Sequence, residues 1–269
     1  MSHRTTHNIA RKRFGQNFLI DQQVIGEIVR AVAPQRNNFV VEIGPGLGAL
    51  TEPLLQRLDH LHVIEIDWDI VAHLRQRYSP EKLTIHEGDA LVFDFGALTA
   101  TTGKKARIVG NLPYNISTPL LFHLASFADH VHDMHFMLQK EVVERLVAEP
   151  RTKDYGRLSV MLQYRFVMDW LLDVPPESFD PAPKVDSAVI RLIPKPSAEL
   201  GVNDEKIFSS LVATAFGQRR KMLRNTLKDI IDETNLAHFG ISPTARAEEL
   251  SVADYVRLAN RIADNSIVR

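Results

Sequence analysis

Two hydrophobic periodicities alternate along the first two thirds of the chain. After Asp21, a predicted N-cap, apolar residues follow helical spacing at Val24, Ile25, Ile28, Val29 and Val32. Short β-rich runs then alternate with amphipathic stretches: the predicted strands are 39–43, 61–66, 83–86, 107–109 and 133–138, and the predicted helices are 49–58, 70–77 and one that Ser117 opens. This alternation predicts an α/β fold with a doubly wound, mainly parallel sheet, whose ligands bind at the carboxyl ends of the strands.

The rest of the chain predicts a second, smaller domain. Runs at 167–174 and 187–193 have the pattern of a closing pair of strands, and 194–201 has the composition of a linker. The pattern is then helical to the end, with Ser251 as a predicted N-cap. We therefore expect one domain over residues 1–200 and an all-helical C-terminal domain over residues 201–269.

The composition excludes several classes of protein. Hydrophobic residues make up 45% of the chain and charged residues 24%, which is typical of a globular protein. No run of about 18 apolar residues predicts a membrane span, and the absence of cysteine excludes disulfides and thiolate zinc sites. We expect a cytoplasmic protein that has no membrane partner and works as a monomer.

Basic residues are concentrated in two segments although the net charge is only −1. Arg11, Lys12 and Arg13 lie in an N-terminal stretch without acidic residues. In the second segment Arg220, Arg224 and Lys228 recur every four residues, which would place them on one face of a helix whose apolar side is formed by Phe216, Leu223, Leu227 and Ile230. Both segments are candidates for contact with nucleic-acid phosphates, and the alternative for each is a solvated surface.

A glycine-rich loop follows the run 39–43, with Gly44, Gly46 and Gly48 at alternate positions. Glycines permit a tight turn and a close approach of the backbone to a ligand. Together with Ala49 the loop also fits a dinucleotide-binding fingerprint, so a nucleotide-dependent oxidoreductase is one hypothesis. Pro45 argues against it, because it removes an N–H group from the loop that would bind a pyrophosphate. S-adenosylmethionine has no phosphate and is the other hypothesis.

Acidic residues follow the next two predicted strands. Glu65 ends one of them, where a carboxylate can accept both hydroxyls of a ribose, and Asp67 is the alternative for that role. Asp89 follows the next strand, where it can accept from the amino group of an adenine. Each acid taken alone could be a helix cap or a loop residue. Three successive strand ends with glycine, Glu and Asp favour an adenosine-binding crevice.

The sequence Gly110-Asn111-Leu112-Pro113-Tyr114 follows the fourth predicted strand. In isolation this would be a turn. At the same edge of the sheet, however, the Asn111 side-chain carbonyl and the Leu112 main-chain carbonyl could accept the two hydrogens of an adenine amine and hold it in line with a methyl donor. Pro113 keeps Leu112 extended, and Tyr114 offers a face on which an extruded base can stack.

These segments resemble a known family. The sequences RKRFGQNFL, EIGPGLG, EID, GDA and NLPYNIST, with FDPAPKVDSAV and FGQRRKMLRN further along, resemble those of the bacterial 16S ribosomal RNA adenine dimethyltransferases over nearly the whole chain. The resemblance implies a Rossmann-like domain that uses S-adenosylmethionine. It implies that the cofactor site is lined by Asn17, Leu19, Gly44, Glu65, Asp89 and Asn111.

The substrate that the resemblance implies is 16S ribosomal RNA. Two adjacent adenines in a hairpin near its 3′ end would each receive two methyl groups, on an immature small subunit. An RNA-binding assembly factor with secondary or lost methylation is an alternative, which the intact NLPY and GDA segments disfavour. An erythromycin-resistance methyltransferase would share the first domain, but the FGQRRKMLRN segment favours the small-subunit family.

Two further groups of residues have competing interpretations. Phe179 is a candidate second stacking face with Lys184 near phosphate, and the alternative is a proline-rich corner with one core aromatic. His130, His132 and His135 lack an acidic or cysteine partner at metal-ligand spacing, so we predict no metal site.

Overall fold

The computed structural model describes residues 17–218 and 220–266, which form two compact units. Of these residues, the first unit combines 17–143 with 167–194, and the second combines 144–166 with 195–218 and 220–266. No described helix is long and apolar enough to cross a membrane.

The first unit alternates strands and helices as the hydrophobic pattern predicts. Its strands are β1 (Phe18–Leu19), β2 (Val40–Ile43), β3 (Leu61–Glu65), β4 (Leu83–Glu87), β5 (Ala106–Asn111), β6 (Val131–Gln139), β7 (Phe166–Val174), β8 (Phe179–Asp180) and β9 (Ser187–Pro194). Its helices are α1 (Gln22–Val32), α2 (Thr51–Leu55), α3 (Trp68–Arg77), α4 (Phe95–Ala100) and α5 (Ser117–Ala125), and α6 (Lys140–Val147) begins in this unit.

Seven strands form one sheet in the order β4-β3-β2-β5-β6-β9-β7. Strands β4, β3, β2, β5 and β6 are parallel, and β9 pairs with β6 in the antiparallel sense. The predicted doubly wound fold is confirmed. Because β3 lies on one side of β2 and β5 on the other, the strand order reverses between β2 and β5, where open α/β sheets bind their ligands.

Helix α1 shows how local sequence determines an element. The carboxylate of Asp21 accepts from the N–H groups of Gln23 at 2.9 Å and Val24 at 3.2 Å, which confirms the predicted N-cap. The buried residues of the helix are Val24, Ile25, Ile28, Val29 and Val32, the same residues that the helical spacing selects. One apolar stripe therefore joins α1 to the core.

A two-stranded sheet joins distant parts of the first unit. Strand β1 pairs with β8 in the antiparallel sense, with Phe18 opposite Asp180 and Leu19 opposite Phe179. Side chains alternate between the two sides of a strand, so neighbours in this pair face different surroundings.

The second unit is helical and contains α7 (Arg157–Arg165), α8 (Glu205–Phe216), α9 (Leu223–Thr226), α10 (Glu233–His238) and α11 (Val252–Ser266). Ser251 accepts from the N–H of Asp254 at 3.2 Å, as expected of an N-cap. The unit differs from the predicted division near residue 200, because residues 144–166 belong to it as well. The physical reason is that Tyr155, Val160 and Tyr164 pack in one apolar cluster with residues of α8 and α11.

Candidate active site

A cavity of about 710 Å³ lies in the first unit at the carboxyl ends of β2, β3, β4 and β5. It is lined by residues from the segment 17–20, the glycine loop, the ends of β3 and β4, and the loop after β5. Every residue that the resemblance implies for the cofactor site is among them: Asn17, Leu19, Gly44, Glu65, Asp89 and Asn111. The predicted crevice and the predicted methyl-transfer loop thus border one cavity.

Two glycines permit the tight geometry around the end of β2. Gly44 has a φ of +65°, a conformation that side chains with a Cβ rarely adopt, and its N–H donates to the Ile64 carbonyl at 3.0 Å. A Cβ at Gly110 would lie 2.6 Å from the Ile43 carbonyl oxygen. Only glycine at position 110 therefore lets β5 bring Asn111 to the cavity without displacing the backbone of β2.

Glu65 and Asp67 have different surroundings, although the sequence left both as candidates for the ribose. The Oε1 atom of Glu65 accepts from the N–H groups of Ile66 at 2.9 Å and Asp67 at 2.8 Å, which holds its carboxylate at the rim of the cavity. Burial raises the pKa of Glu65, and these N–H groups oppose the shift. Asp67 accepts from the N–H of Asp69 at 3.0 Å as the N-cap of α3 and does not line the cavity.

Asp89 lines the cavity after β4. Its Oδ1 atom accepts from the N–H of Leu91 at 2.9 Å, and this hydrogen bond within a short turn fixes the orientation of the Asp89 carboxylate. A carboxylate oxygen held in this way can still accept a second hydrogen bond from a ligand.

The loop after β5 is held in place by hydrogen bonds on both sides. The side-chain nitrogen of Asn111 donates to the main-chain carbonyl of Asn17 at 3.0 Å, and the Leu112 N–H donates to the Met137 carbonyl at 3.1 Å. The Pro113 carbonyl accepts from the Ser117 hydroxyl at 3.0 Å. Four consecutive residues, Asn111 to Tyr114, therefore line the cavity in a fixed loop.

Comparison with known proteins assigns the chain to a family. The family model described as ribosomal RNA adenine dimethylase matches residues 7–264. The chain belongs to this family.

Similar proteins agree with this dimethylase family assignment. The chain is 63% identical to the ribosomal RNA small subunit methyltransferase A of Dechloromonas aromatica, over 95% of this chain and 99% of the relative. It is 59% identical to the protein of the same name from Neisseria gonorrhoeae, over 96% and 98% of the two chains.

Two solved structures are similar along almost the whole dimethylase chain. A dimethyladenosine transferase from Plasmodium falciparum has a TM-score of 0.79 and 25% identity, covering 93% of this chain and 98% of that one. The 23S rRNA methyltransferase ErmE has a TM-score of 0.67 and 26% identity, covering 92% and 100%. The predicted Rossmann-like methyltransferase fold is confirmed.

Phe179 does not offer the accessible stacking face that the sequence predicted for this dimethylase. Its side chain is only 4% exposed and packs in the main core with Leu19 and Val174, and it does not line the cavity. The reason is its packing: Phe179 is enclosed by the apolar residues of the core, whereas its neighbour Asp180 lines the cavity. Lys184 is exposed, as its predicted role requires.

The second basic segment is not one helix, so the prediction of a shared face for Arg220, Arg224 and Lys228 is wrong. Helix α8 ends at Phe216, and α9 is four residues long and contains only Arg224 of the three. The helix is interrupted because the backbone pairs elsewhere: the Leu223 N–H donates to the Ala245 carbonyl at 2.8 Å.

The predicted apolar side of that segment is confirmed in part. Leu223 and Leu227 are fully buried, and Phe216 packs against the same cluster. Ile230 is 38% exposed, and Ile231 is buried in its place. The basic residues Arg11, Lys12 and Arg13 lie outside the described residues.

Sequence reasoning missed three acids of the cavity, Glu42, Glu52 and Asp180. Glu42 is buried within β2 and accepts from the Thr51 hydroxyl at 2.7 Å. Burial raises its pKa to about 7 despite that hydrogen bond, and the charge of Glu65 adds to the shift. The signal was present in the sequence, since a charged residue interrupts the apolar run 39–43.

The three histidines considered as metal ligands each lie in a different environment. The Nδ1 atom of His130 is hydrogen-bonded to the Thr99 hydroxyl at 3.0 Å. The Nδ1 atom of His132 lies 3.4 Å from the Oδ2 atom of Asp133, and His135 is buried in β6. Among residues 17–218 and 220–266, no group of three or more His, Cys, Asp or Glu side chains is arranged to hold a metal.

Proposed function

We propose that this protein transfers methyl groups from S-adenosylmethionine to N6 of two adjacent adenines in a 3′-end hairpin of 16S ribosomal RNA, and that it acts on immature small subunits in the cytoplasm. The observation that carries the proposal is that Glu65, Asp89 and the four residues from Asn111 to Tyr114 border one cavity. Such a cavity can hold a nucleoside and a second, extruded base together.

The residues of the cavity fit S-adenosylmethionine better than a dinucleotide. Glu65 and Asp89 present carboxylates for ribose hydroxyls and an adenine amino group, and Gly44 leaves its side of the cavity without a side chain. Pro45, which lines the cavity, has no N–H for a phosphate. When bound, S-adenosylmethionine supplies an activated sulfonium methyl.

The contribution of Asn111 follows from its orientation. A carbonyl oxygen only accepts hydrogen bonds, so the Asn17 carbonyl requires the nitrogen of the Asn111 amide to face it. The amide oxygen then remains to accept a hydrogen from the adenine amine, and the Leu112 carbonyl accepts the other. Two acceptors hold the nitrogen lone pair in line with the methyl group, which is positioning rather than general-base catalysis.

Tyr114 contributes an aromatic face. Burial raises the pKa of Tyr114 above its ordinary value, so the phenol keeps its proton at physiological pH and brings no negative charge to a base stacked on the ring. Stacking on aromatic side chains typically stabilises an extruded base by about 1–3 kcal/mol.

Exposed basic residues supply contacts to the RNA backbone. Lys184 belongs to the unit that contains the cavity, and Arg220, Arg224 and Lys228 lie in the second unit. Such contacts position the RNA without reading its sequence. That the protein works as a monomer stays a prediction.

The experiment that tests this function compares two cofactors and two RNA substrates. Calorimetry with S-adenosylmethionine and with NADH distinguishes a methyltransferase from an oxidoreductase. Transfer of label from S-adenosylmethionine to unmethylated small subunits, with large subunits as the control, then tests the substrate. We expect the protein to bind S-adenosylmethionine but not NADH, and to label the small subunit but not the large one. Label in the large subunit would favour the activity named for ErmE.

A further inference from the structure

Tyr114 lines the cavity, but its hydroxyl is bonded to a residue that does not line it. The hydroxyl lies 2.8 Å from the Oγ atom of Ser187, and either oxygen can donate in this hydrogen bond. Since the phenol is held there, the ring is the part of Tyr114 that remains for a substrate in the cavity.

Ser187 is a rigid partner for this contact. It is fully buried, begins β9 and lies opposite Gln139 in the register of β6 with β9. The Lys140 N–H donates to the carbonyl of the preceding residue, Asp186, at 2.9 Å, so the strand is held at this end as well. Its hydroxyl therefore has a position set by the sheet.

The orientation of Tyr114 needs such a partner. A tyrosine side chain rotates about two bonds, and this one lies in the loop between β5 and α5. A hydrogen bond at the far end of the ring fixes where that end lies and so restrains rotation about the first bond, which sets the position of the whole ring. A base stacks well only on a ring that is held in position beside it.

We propose that Ser187 is a positioning residue, which fixes the position of the Tyr114 ring through this hydrogen bond so that the target adenine stacks in the reactive orientation. The inference rests on the proposed methyl transfer to adenine. It assigns a role in the reaction to a residue that does not line the cavity.

The test is a double-mutant cycle of Ser187→Ala and Tyr114→Phe, each of which removes one partner of the same bond and keeps the ring. Methylation of small-subunit RNA is followed in single turnovers with saturating S-adenosylmethionine and RNA. Because the net value of one hydrogen bond is modest, each single variant should methylate roughly two- to tenfold more slowly than the wild type. The double variant should be no slower than the slower single variant, since there is only one bond to lose.

Ser178→Ala is the matched control, because it also removes the hydroxyl of a buried serine in the same unit. That hydroxyl donates to Asp21 at 3.0 Å and does not contact Tyr114. We expect wild-type methylation rates for Ser178→Ala, and for Ser187→Ala a melting temperature and S-adenosylmethionine affinity no lower than those of the control.

Three results would overturn the inference: a wild-type rate for Ser187→Ala, multiplied losses in the double variant, or a loss of rate that parallels a loss of cofactor affinity or melting temperature. Failure of the wild-type protein to methylate adenine would instead refute the proposed function, so the two failures are distinguishable.

Discussion

The side-chain amide of Asn111 donates to the main-chain carbonyl of Asn17 at 3.0 Å, across 94 positions of the chain. This hydrogen bond joins the segment before β1 to the end of β5 and orients the amide oxygen of Asn111 for an amine substrate. The orientation of Asn111 in the cavity therefore depends on a contact between residues that are far apart in the sequence.

Asn111→Ala should reduce the rate of methyl transfer far more than it reduces cofactor affinity. Loss of one preorganised polar group at a reacting centre typically costs about 10²–10³ in rate. Single-turnover methylation measures the first quantity and calorimetry with S-adenosylmethionine the second. Full activity of the variant would mean that the segment Asn111 to Tyr114 is only a turn.

Glu65→Ala and Asp67→Ala should affect different properties. Removal of the Glu65 carboxylate takes away charge-assisted hydrogen bonds to the ribose, each typically worth about 1.5–3 kcal/mol, so S-adenosylmethionine should bind at least about tenfold more weakly. Removal of Asp67 takes away the N-cap of α3 and should lower the free energy of unfolding by about 1 kcal/mol with little change in affinity. The reverse pattern, seen by calorimetry and thermal melts, would assign the ribose to Asp67.

Much of the first unit could be predicted because its signals are local. The N-cap at Asp21, the alternation of strands and helices, and the position of Glu65 at a strand end all depend on neighbours within a few residues. Tyr114 and Ser187, by contrast, are 73 positions apart, and the partner of Phe179 is Leu19. Hydrophobic periodicity carries no information on such pairs, and for that reason the sequence could not decide between a stacking face and the core aromatic that Phe179 is.

The absence of long-range information in local spacing also explains why the prediction of one helix for the second basic segment was wrong. A four-residue spacing fits a helix, but the N–H groups of Leu223 and Arg224 donate to the carbonyls of Ala245 and Pro243, some twenty residues further on. These long-range hydrogen bonds replace the helix that local spacing favours. Arg220, Arg224 and Lys228 are therefore expected to contribute separately rather than as one face.

Replacement of Arg220, Arg224 and Lys228 by alanine should weaken small-subunit binding and make it less dependent on salt. Removing one cation that neutralises a phosphate typically lowers the salt slope by about 0.7–0.9. Arg224 lies 3.9 Å from Glu233, so part of its charge is already compensated and its share should be the smallest. Cofactor affinity should be unchanged, which calorimetry checks.

The matched control for this variant removes three other exposed cations, Arg30, Arg57 and Lys105. They precede β2, β3 and β5 respectively, on the side of the amino ends of these strands, whereas the cavity lies at the carboxyl ends. Their removal changes the net charge equally and should leave the salt slope as in the wild type. Equal slopes for the two triple variants would remove Arg220, Arg224 and Lys228 from the RNA interface.

His135 should make the fold sensitive to acid. Its imidazole is buried in β6, and burial lowers its pKa from 6.5 to about 4, with Asp133 opposing the shift. Between these two values the unfolded chain binds a proton that the folded protein does not, so stability is lost as the pH falls from 6.5 to about 4. The full shift corresponds to a loss of up to about 3 kcal/mol.

His135→Leu should therefore flatten the dependence of the free energy of unfolding on pH in this window, measured by denaturant titration at several pH values. Some dependence should persist, because the pKa of His62 is also lowered to about 4, by burial and by neighbouring His60 and His86. An unchanged slope in the variant would mean that His135 already binds its proton in the folded protein.

The identity and number of the modified nucleosides test the central claim most directly. The protein is incubated with S-adenosylmethionine and unmethylated small subunits, the RNA is digested, and the nucleosides are separated and counted for the wild type and for Asn111→Ala. We predict N6,N6-dimethyladenosine at two positions per small subunit for the wild type and very little in the same time for the variant. Small subunits that bind the wild-type protein but stay unmodified, or any other methylated nucleoside, would contradict this account.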